Sequence, residues 1–192
     1  MLIKAIKSSL VMPTADACEV NVLTDLTEIE ETKMVILTVS SYLFRLMVFI
    51  YFTPDDSTKE YFARINKTQA LDMSEQSFYD AIAECGNICC GILNRDLSQF
   101  FPHIGMSTPN IIDKNCSSYL NVLGCGHIQH FKVNVNDING ASFHVSLCIN
   151  DFADLHFILD KNEEVCASCS NSVRPHARYW SGAADHRYVH FP

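Results

Sequence analysis

Apolar positions recur with two different periods along the chain, and the change from one to the other divides it into elements. Leu2, Ile3, Ile6 and Leu10 return every three or four residues ahead of Pro13, which predicts a short amphipathic opening helix. CEVNVLT, Cys18 to Thr24, alternates as a strand does. MVILTVSSYLFRLMVFIYF, Met34 to Phe52, is almost continuously apolar and rich in the β-branched and aromatic residues that suit a buried pleated surface. It approaches membrane-spanning length, but Arg45 near its middle would cost a spanning helix on the order of 3 kcal/mol, so two strands turning at Ser40-Ser41 fit better. Thr53-Pro54-Asp55-Asp56-Ser57 supplies a cap and first-turn acids for a helix to about Asn66, with Tyr61, Phe62 and Ile65 on one side. Ser74 or Asp72 can cap a long helix from Glu75 to about Leu97. PHIGMSTPNI, from Pro102, reads as a loop by its Pro and Gly content. HFKVNVND and ASFHVSLCIN then alternate strictly around the hairpin signal Ile138-Asn139-Gly140, which predicts a sheet with one covered face and one wet or partner-facing face.

Helix, hairpin, helix, long helix, hairpin is the order of an α+β fold: an antiparallel sheet with helices layered on it. With 192 residues, 48% of them hydrophobic, the chain can bury one sizeable core. That core is expected within residues 1–160. From Lys161 the periodicity lapses, and residues 161–192 read as a tail, flexible or docked through Tyr179 and Trp180. A net charge of -8, from 14 basic against 22 acidic side chains, argues against a nucleic-acid or anionic-membrane surface, because both need clustered Lys and Arg. Nine cysteines, an odd number, and an N-terminus without an apolar run ending in a cleavage site point to a reducing, cytoplasmic setting.

Chemistry concentrates on the long helix. At 100° per residue, Asp80, Glu84, Asn87 and Gly91 fall on one narrow stripe, which Asn94 extends. Phe78, Ile82, Cys85, Ile88, Cys89, Ile92 and Leu93 make the opposite, core-facing side. A polar outer face is the norm for a helix, so a merely solvated stripe is the plain alternative. Against it, Asn is a poor interior helix residue, and Gly86 and Gly91 each cost about 1 kcal/mol relative to Ala. The small residues Ala83, Gly86, Cys90 and Gly91 flank the stripe and suit a face that another backbone can approach.

DAIAECGN, Asp80 to Asn87, resembles the DxxxExxN signature of the CheC and CheX chemotaxis phosphatases, with Pro109 of MSTPNI matching that family's downstream loop proline. The order of helices and hairpins over residues 1–160 is similar too. A single signature resembles the CheX branch, since CheC-like chains carry it twice. The resemblance implies a homodimer that hydrolyses the aspartyl phosphate of a response-regulator receiver domain, in chemotaxis or another two-component pathway. It implies that Asn87 positions water, Glu84 pairs with the receiver's phosphate-site lysine, and Asp80, Ala83, Gly91 and Pro109 dock the partner. It implies no cofactor held by this chain, Mg²⁺ arriving within the phosphorylated receiver. The alternative is a catalytically inactive adaptor that binds a receiver or another partner through the same helix face.

Other signals carry less. Cys166, Cys169, His186 and His190 have zinc-compatible ligand types, but the gap between the pairs is longer than in a finger and lacks an apolar core. Cys85 and Cys89 lie on the apolar side and read as buried, inert thiols. His127 and His130, three apart on a strand, point to opposite faces and so do not share a ligand. No GxSxG elbow and no Gly-rich phosphate loop occurs, which leaves neither a serine hydrolase nor a nucleotide enzyme supported.

Overall fold

The computed structural model describes residues 1–10, 18–101, 103–135, 141–152, 155–158 and 187–190. Pro13, Pro102, the Ile138-Asn139-Gly140 turn, Tyr179, Trp180 and the tail residues Cys166, Cys169 and His186 lie outside these.

A seven-stranded antiparallel sheet forms the centre. Its strands are β1 (Cys18–Leu23), β2 (Lys33–Ser40), β3 (Phe44–Phe52), β4 (Gly105–Met106), β5 (Asn110–Asp113), β6 (His127–Val135) and β7 (Ala141–Asp151). Their order is β1-β6-β7-β3-β2-β4, with β5 also paired to β2. The Met34–Phe52 run folds back on itself as expected: Ser40 pairs with Arg45, and Ser41 N–H donates to the Phe44 carbonyl at 3.0 Å. Arg45 stays at the exposed rim, its guanidinium 5.6 Å from the centre of the Phe152 ring. A separate pair, β8 (Leu155–Ile158) with β9 (Arg187–His190), runs parallel, so the segment that contains His190 meets the chain just beyond β7.

Three helices cover one face. They are α1 (Leu2–Leu10), α2 (Asp56–Ile65) and α3 (Glu75–Leu97). Asp55 caps α2, accepting from Thr58 N–H at 2.8 Å, and Ser74 caps α3, accepting from Ser77 N–H at 3.1 Å. Such a cap contributes about 1 kcal/mol. The core between helices and sheet holds Ile6 and Leu10 of α1, Phe62 of α2, Phe78 and Ile82 of α3, and Val35, Leu37, Val133, Val145 and Leu147 of the sheet.

The second face is not wet. His144, Ser146 and Cys148, the alternate positions of β7, are buried, and Met34, Met47, Phe49 and Tyr51 lie with them. Ile29, from the segment between β1 and β2, and Leu120, from a 3₁₀ helix at Lys114–Leu123, supply the cover. Alternation set the two faces of the strands correctly; covers anchored by Ile29 with Leu26, and by Leu120, leave no period to read. The stretch from Pro102 also departs from a plain loop. Gly105–Met106 and Asn110–Asp113 pair with the outer edge of β2, held between them by Ser107, which donates its N–H to Thr38 O at 2.9 Å and accepts Thr38 N–H on Oγ at 2.9 Å. Strands of two and four residues are too short to show a period.

The packing of α3 fixes how it presents its outer face. Gly86 is buried over β2, and a Cβ there would stand 2.4 Å from Leu37 Cδ1 and 3.3 Å from Val35 Cγ1. Glycine is needed at this crossing because the helix backbone lies directly on the sheet. Gly86 and Cys90 therefore belong to the core, not to the flank of the polar stripe, while Ile88 is 41% exposed and belongs to the outside. The buried arc is rotated from the one that apolar residues alone suggest.

Candidate functional site on the outer face of the long helix

Glu84 and Asp80 are exposed on α3, and Ala83, Asn87 and Gly91 are half-buried beside them. The central contact is between the two motif residues: Asn87 Nδ2 donates to Glu84 Oε2 at 3.1 Å. Only the NH₂ end of the amide can donate to a carboxylate, so this bond leaves Oδ1 as an acceptor. Glu84 keeps its second oxygen for another donor. One turn earlier, Gln76 Nε2 donates to Asp80 Oδ1 at 2.8 Å, which holds that carboxylate against the helix. Above Gly91 there is open space, with nothing within 4 Å of where a Cβ would sit. Asn94, at the end of the stripe, has its Oδ1 buried without a partner.

Pro109 is half-buried. It lies in the three-residue link between β4 and β5, and both of those strands contact α3. The sequence reading did not include Ile88, yet it stands exposed one residue from Asn87 and four from Glu84, an apolar group beside the polar pair. Its apolar character had assigned it to the core, so no signal in the sequence marked it.

Below this face the helix is dry. Burial, with the Glu84 charge as a lesser contributor, pushes the Cys85 thiol up to about 12. Burial likewise raises Cys89 to about 12 and raises Cys90 further. These thiols are packing groups, as their place on the helix suggested. The two histidines also divide as expected, His127 exposed and His130 buried. Among the described residues no group of three or more His, Cys, Asp or Glu side chains is arranged to hold a metal ion, and no helix is long and apolar enough to cross a membrane.

The site is thus a convex helix face and not a cleft. An open cleft of about 510 Å³, bordered by Glu31, Asp55, Tyr61, Lys132 and His144, includes none of its residues.

No protein-family model matches the chain, and no curated protein sequence does. Solved structures do match. A CheC-like superfamily protein from Shewanella sp. PV-4 superposes with a TM-score of 0.51 at 15% identity, over 78% of this chain and 92% of that one. CheX in the CheX–CheY–BeF3–Mg²⁺ complex from Borrelia burgdorferi gives 0.55 at 14% identity, over 78% and 93%. The fold is that of the CheC-like and CheX proteins. CheX from Desulfovibrio desulfuricans repeats the match, with a TM-score of 0.52 at 15% identity over 78% and 96%. This fold is an antiparallel sheet with helices layered on one face, and the long helix of the layer carries Asp80, Glu84 and Asn87 on its outer side.

Proposed function

We propose that this chain removes phosphate from an aspartyl-phosphorylated receiver domain, with Asn87 positioning the attacking water and Glu84 anchoring the receiver. The observation that carries this reading is the Asn87–Glu84 contact on an open, convex face, because it fixes the direction of the amide before any partner arrives. Phosphoryl transfer needs an in-line water and neutralised charge more than it needs a covalent nucleophile. Asn87 Oδ1 accepts a water O–H and turns a lone pair toward phosphorus; an amide takes no proton itself, so its contribution is orientation. The free oxygen of Glu84 accepts from the receiver's phosphate-site lysine and sets the register. Mg²⁺, carried by the receiver, supplies charge neutralisation at the phosphoryl oxygens.

The rest of the face suits a protein surface in the same way. Gly91 and Ala83 let a partner backbone approach, Asp80 adds negative charge, and Pro109 stiffens the link at the rim. A partner of this kind is supported by the solved complex of a CheX with CheY, BeF3 and Mg²⁺. The pairing of two copies of this chain belongs to the same proposal.

The test is turnover. Catalytic amounts of the chain are added to candidate phosphorylated receivers with Mg²⁺, and phosphate release is followed beside Glu84→Ala and Asn87→Ala forms. Many phosphates released per chain, with the gain lost in both variants, is the expected result. Binding of a receiver with no gain in release would overturn the enzyme and leave an adaptor using the same face.

A further inference from the structure

At one end of the sheet, apolar side chains from three separate segments meet solvent together. Phe152 follows β7, and its N–H donates to the Leu43 carbonyl at 2.8 Å, next in the chain to Tyr42 in the turn between β2 and β3. Asn150, two residues before Phe152, donates its side-chain N–H to the Leu123 carbonyl at 2.8 Å, which ties the end of the 3₁₀ helix to the same corner. Side chains at i and i+3 of a 3₁₀ helix eclipse, so Leu120 turns inward while Tyr119 and Val122 share another row. Tyr42, Val122, Leu123 and Phe152 are 65%, 80%, 41% and 54% exposed. Beside Phe152 stands the exposed Arg45 guanidinium, 5.6 Å from the centre of the ring. Apolar residues scattered singly on a surface are ordinary, but a group drawn together from three segments marks a surface that something covers.

The chain carries a cover of its own. Leu155 of β8, three residues beyond Phe152, pairs with Arg187 of β9, so residues 159–186 leave β8 and return to β9 a few residues from the patch. In that stretch the one pair of adjacent aromatics is Tyr179-Trp180. Trp180 lies seven residues before Arg187, a reach of at most about 25 Å in extended chain. A group tethered so closely has a roughly millimolar effective concentration, so a weak contact suffices to hold it. An indole brings about 150–250 Å² of surface to bury, and aromatic faces stack on guanidinium groups such as that of Arg45.

We infer that the patch of Tyr42, Val122, Leu123 and Phe152 is the docking surface for the chain's own Tyr179-Trp180 segment. The occupant is in cis because both ends of the segment that carries it are held at the β8–β9 pair, close in sequence to Phe152. The surface is separate from the Glu84–Asn87 face and stands whether or not the phosphatase proposal does.

Trp180 is the only tryptophan of the chain, so fluorescence reports its burial alone. Acrylamide quenching of the full chain is measured against free N-acetyltryptophanamide. Quenching several-fold slower in the chain, at a rate independent of protein concentration, is expected. Val122→Asp and Phe152→Asp place a charge in the patch at exposed positions, and each should bring quenching toward that of the free indole with an unchanged urea midpoint. Leu71→Asp, at an exposed apolar residue between α2 and α3, should leave it unaltered. Quenching of the native chain as fast as that of the free indole, protection kept in both patch variants, or protection lost equally in Leu71→Asp would overturn the assignment. Protection that grows with protein concentration would also overturn it, and would give the segment to a second copy of the chain.

Discussion

Two glycines on one helix should respond differently to the same substitution. Replacing glycine by alanine inside a helix gains about 1 kcal/mol from the lost backbone freedom of the unfolded chain. At Gly91 nothing opposes this gain, since no atom lies within 4 Å of the new methyl. At Gly86 the methyl would meet Leu37 Cδ1 at 2.4 Å and Val35 Cγ1 at 3.3 Å. Leu37 and Val35 are both fully buried, so any retreat repacks the core. Overpacking of a core costs about 1–3 kcal/mol, which cancels or exceeds the helix gain. Gly91→Ala should therefore be more stable than the native chain by about 1 kcal/mol, and more stable than Gly86→Ala by about 1–3 kcal/mol. Urea unfolding of the three proteins, with equal slopes, reads these differences as midpoint shifts. Equal stabilisation by both substitutions would refute the contact between α3 and β2 as described. The pair also separates stability from docking: Gly91→Ala gains stability yet should impair receiver binding if that face is the docking surface.

Further outcomes follow from other sites. The carboxyl of Glu31 is desolvated by burial, which alone would raise its pKa, but its 2.6 Å contact with His144 and a backbone hydrogen bond outweigh this and leave it below the ordinary value. A carboxylate depressed in the folded state contributes stability above its unfolded pKa, about 4.3, and that contribution is lost as pH falls through the lower folded value. Urea midpoints should accordingly drop more steeply below about pH 4.3 in the native chain than in Glu31→Gln, and parallel acid limbs would contradict the pairing. Site-resolved thiol labelling of the native chain should modify the exposed Cys116 quickly and spare Cys85, Cys89, Cys90 and Cys148 until urea is added; labelling of those four at comparable rates would show that α3 and β7 are not packed as described. Ile88→Glu, at an exposed position, should change stability by no more than about 0.5 kcal/mol while raising the receiver concentration needed for half-maximal rate, and an unchanged concentration would remove Ile88 from the docking face.

Different parts of this molecule were legible in the sequence for different physical reasons. The long helix announced itself because Ser74 caps it and its core residues recur over 23 positions. The β2–β3 and β6–β7 pairs were visible through side-chain alternation and β-branched content. Gly86 was visible as an anomaly but was given the wrong cause: small residues suit both a docking face and a helix laid on a sheet, and only the position of β2 decides between them. Ile88 was lost for the converse reason, since its hydrophobicity says nothing of the exact rotation of the helix. Ile29 and Leu120, which close the second face, lie in stretches without a period. His130 was correctly separated from His127 by strand geometry, but its contact with Ser146, and through it with Tyr51, joins residues of three strands and leaves no local signal.

The central claim is that Asn87 acts on the chemical step and not on binding. Single-turnover release of phosphate from a phosphorylated receiver, at saturating concentrations of native chain and of Asn87→Ala, tests it most directly, with binding of each to the receiver measured in parallel. The account predicts that Asn87→Ala binds the receiver within a few-fold of the native chain, while its saturated rate falls to that of the receiver alone. A saturated rate equal to that of the native chain, with only the affinity reduced, would contradict it.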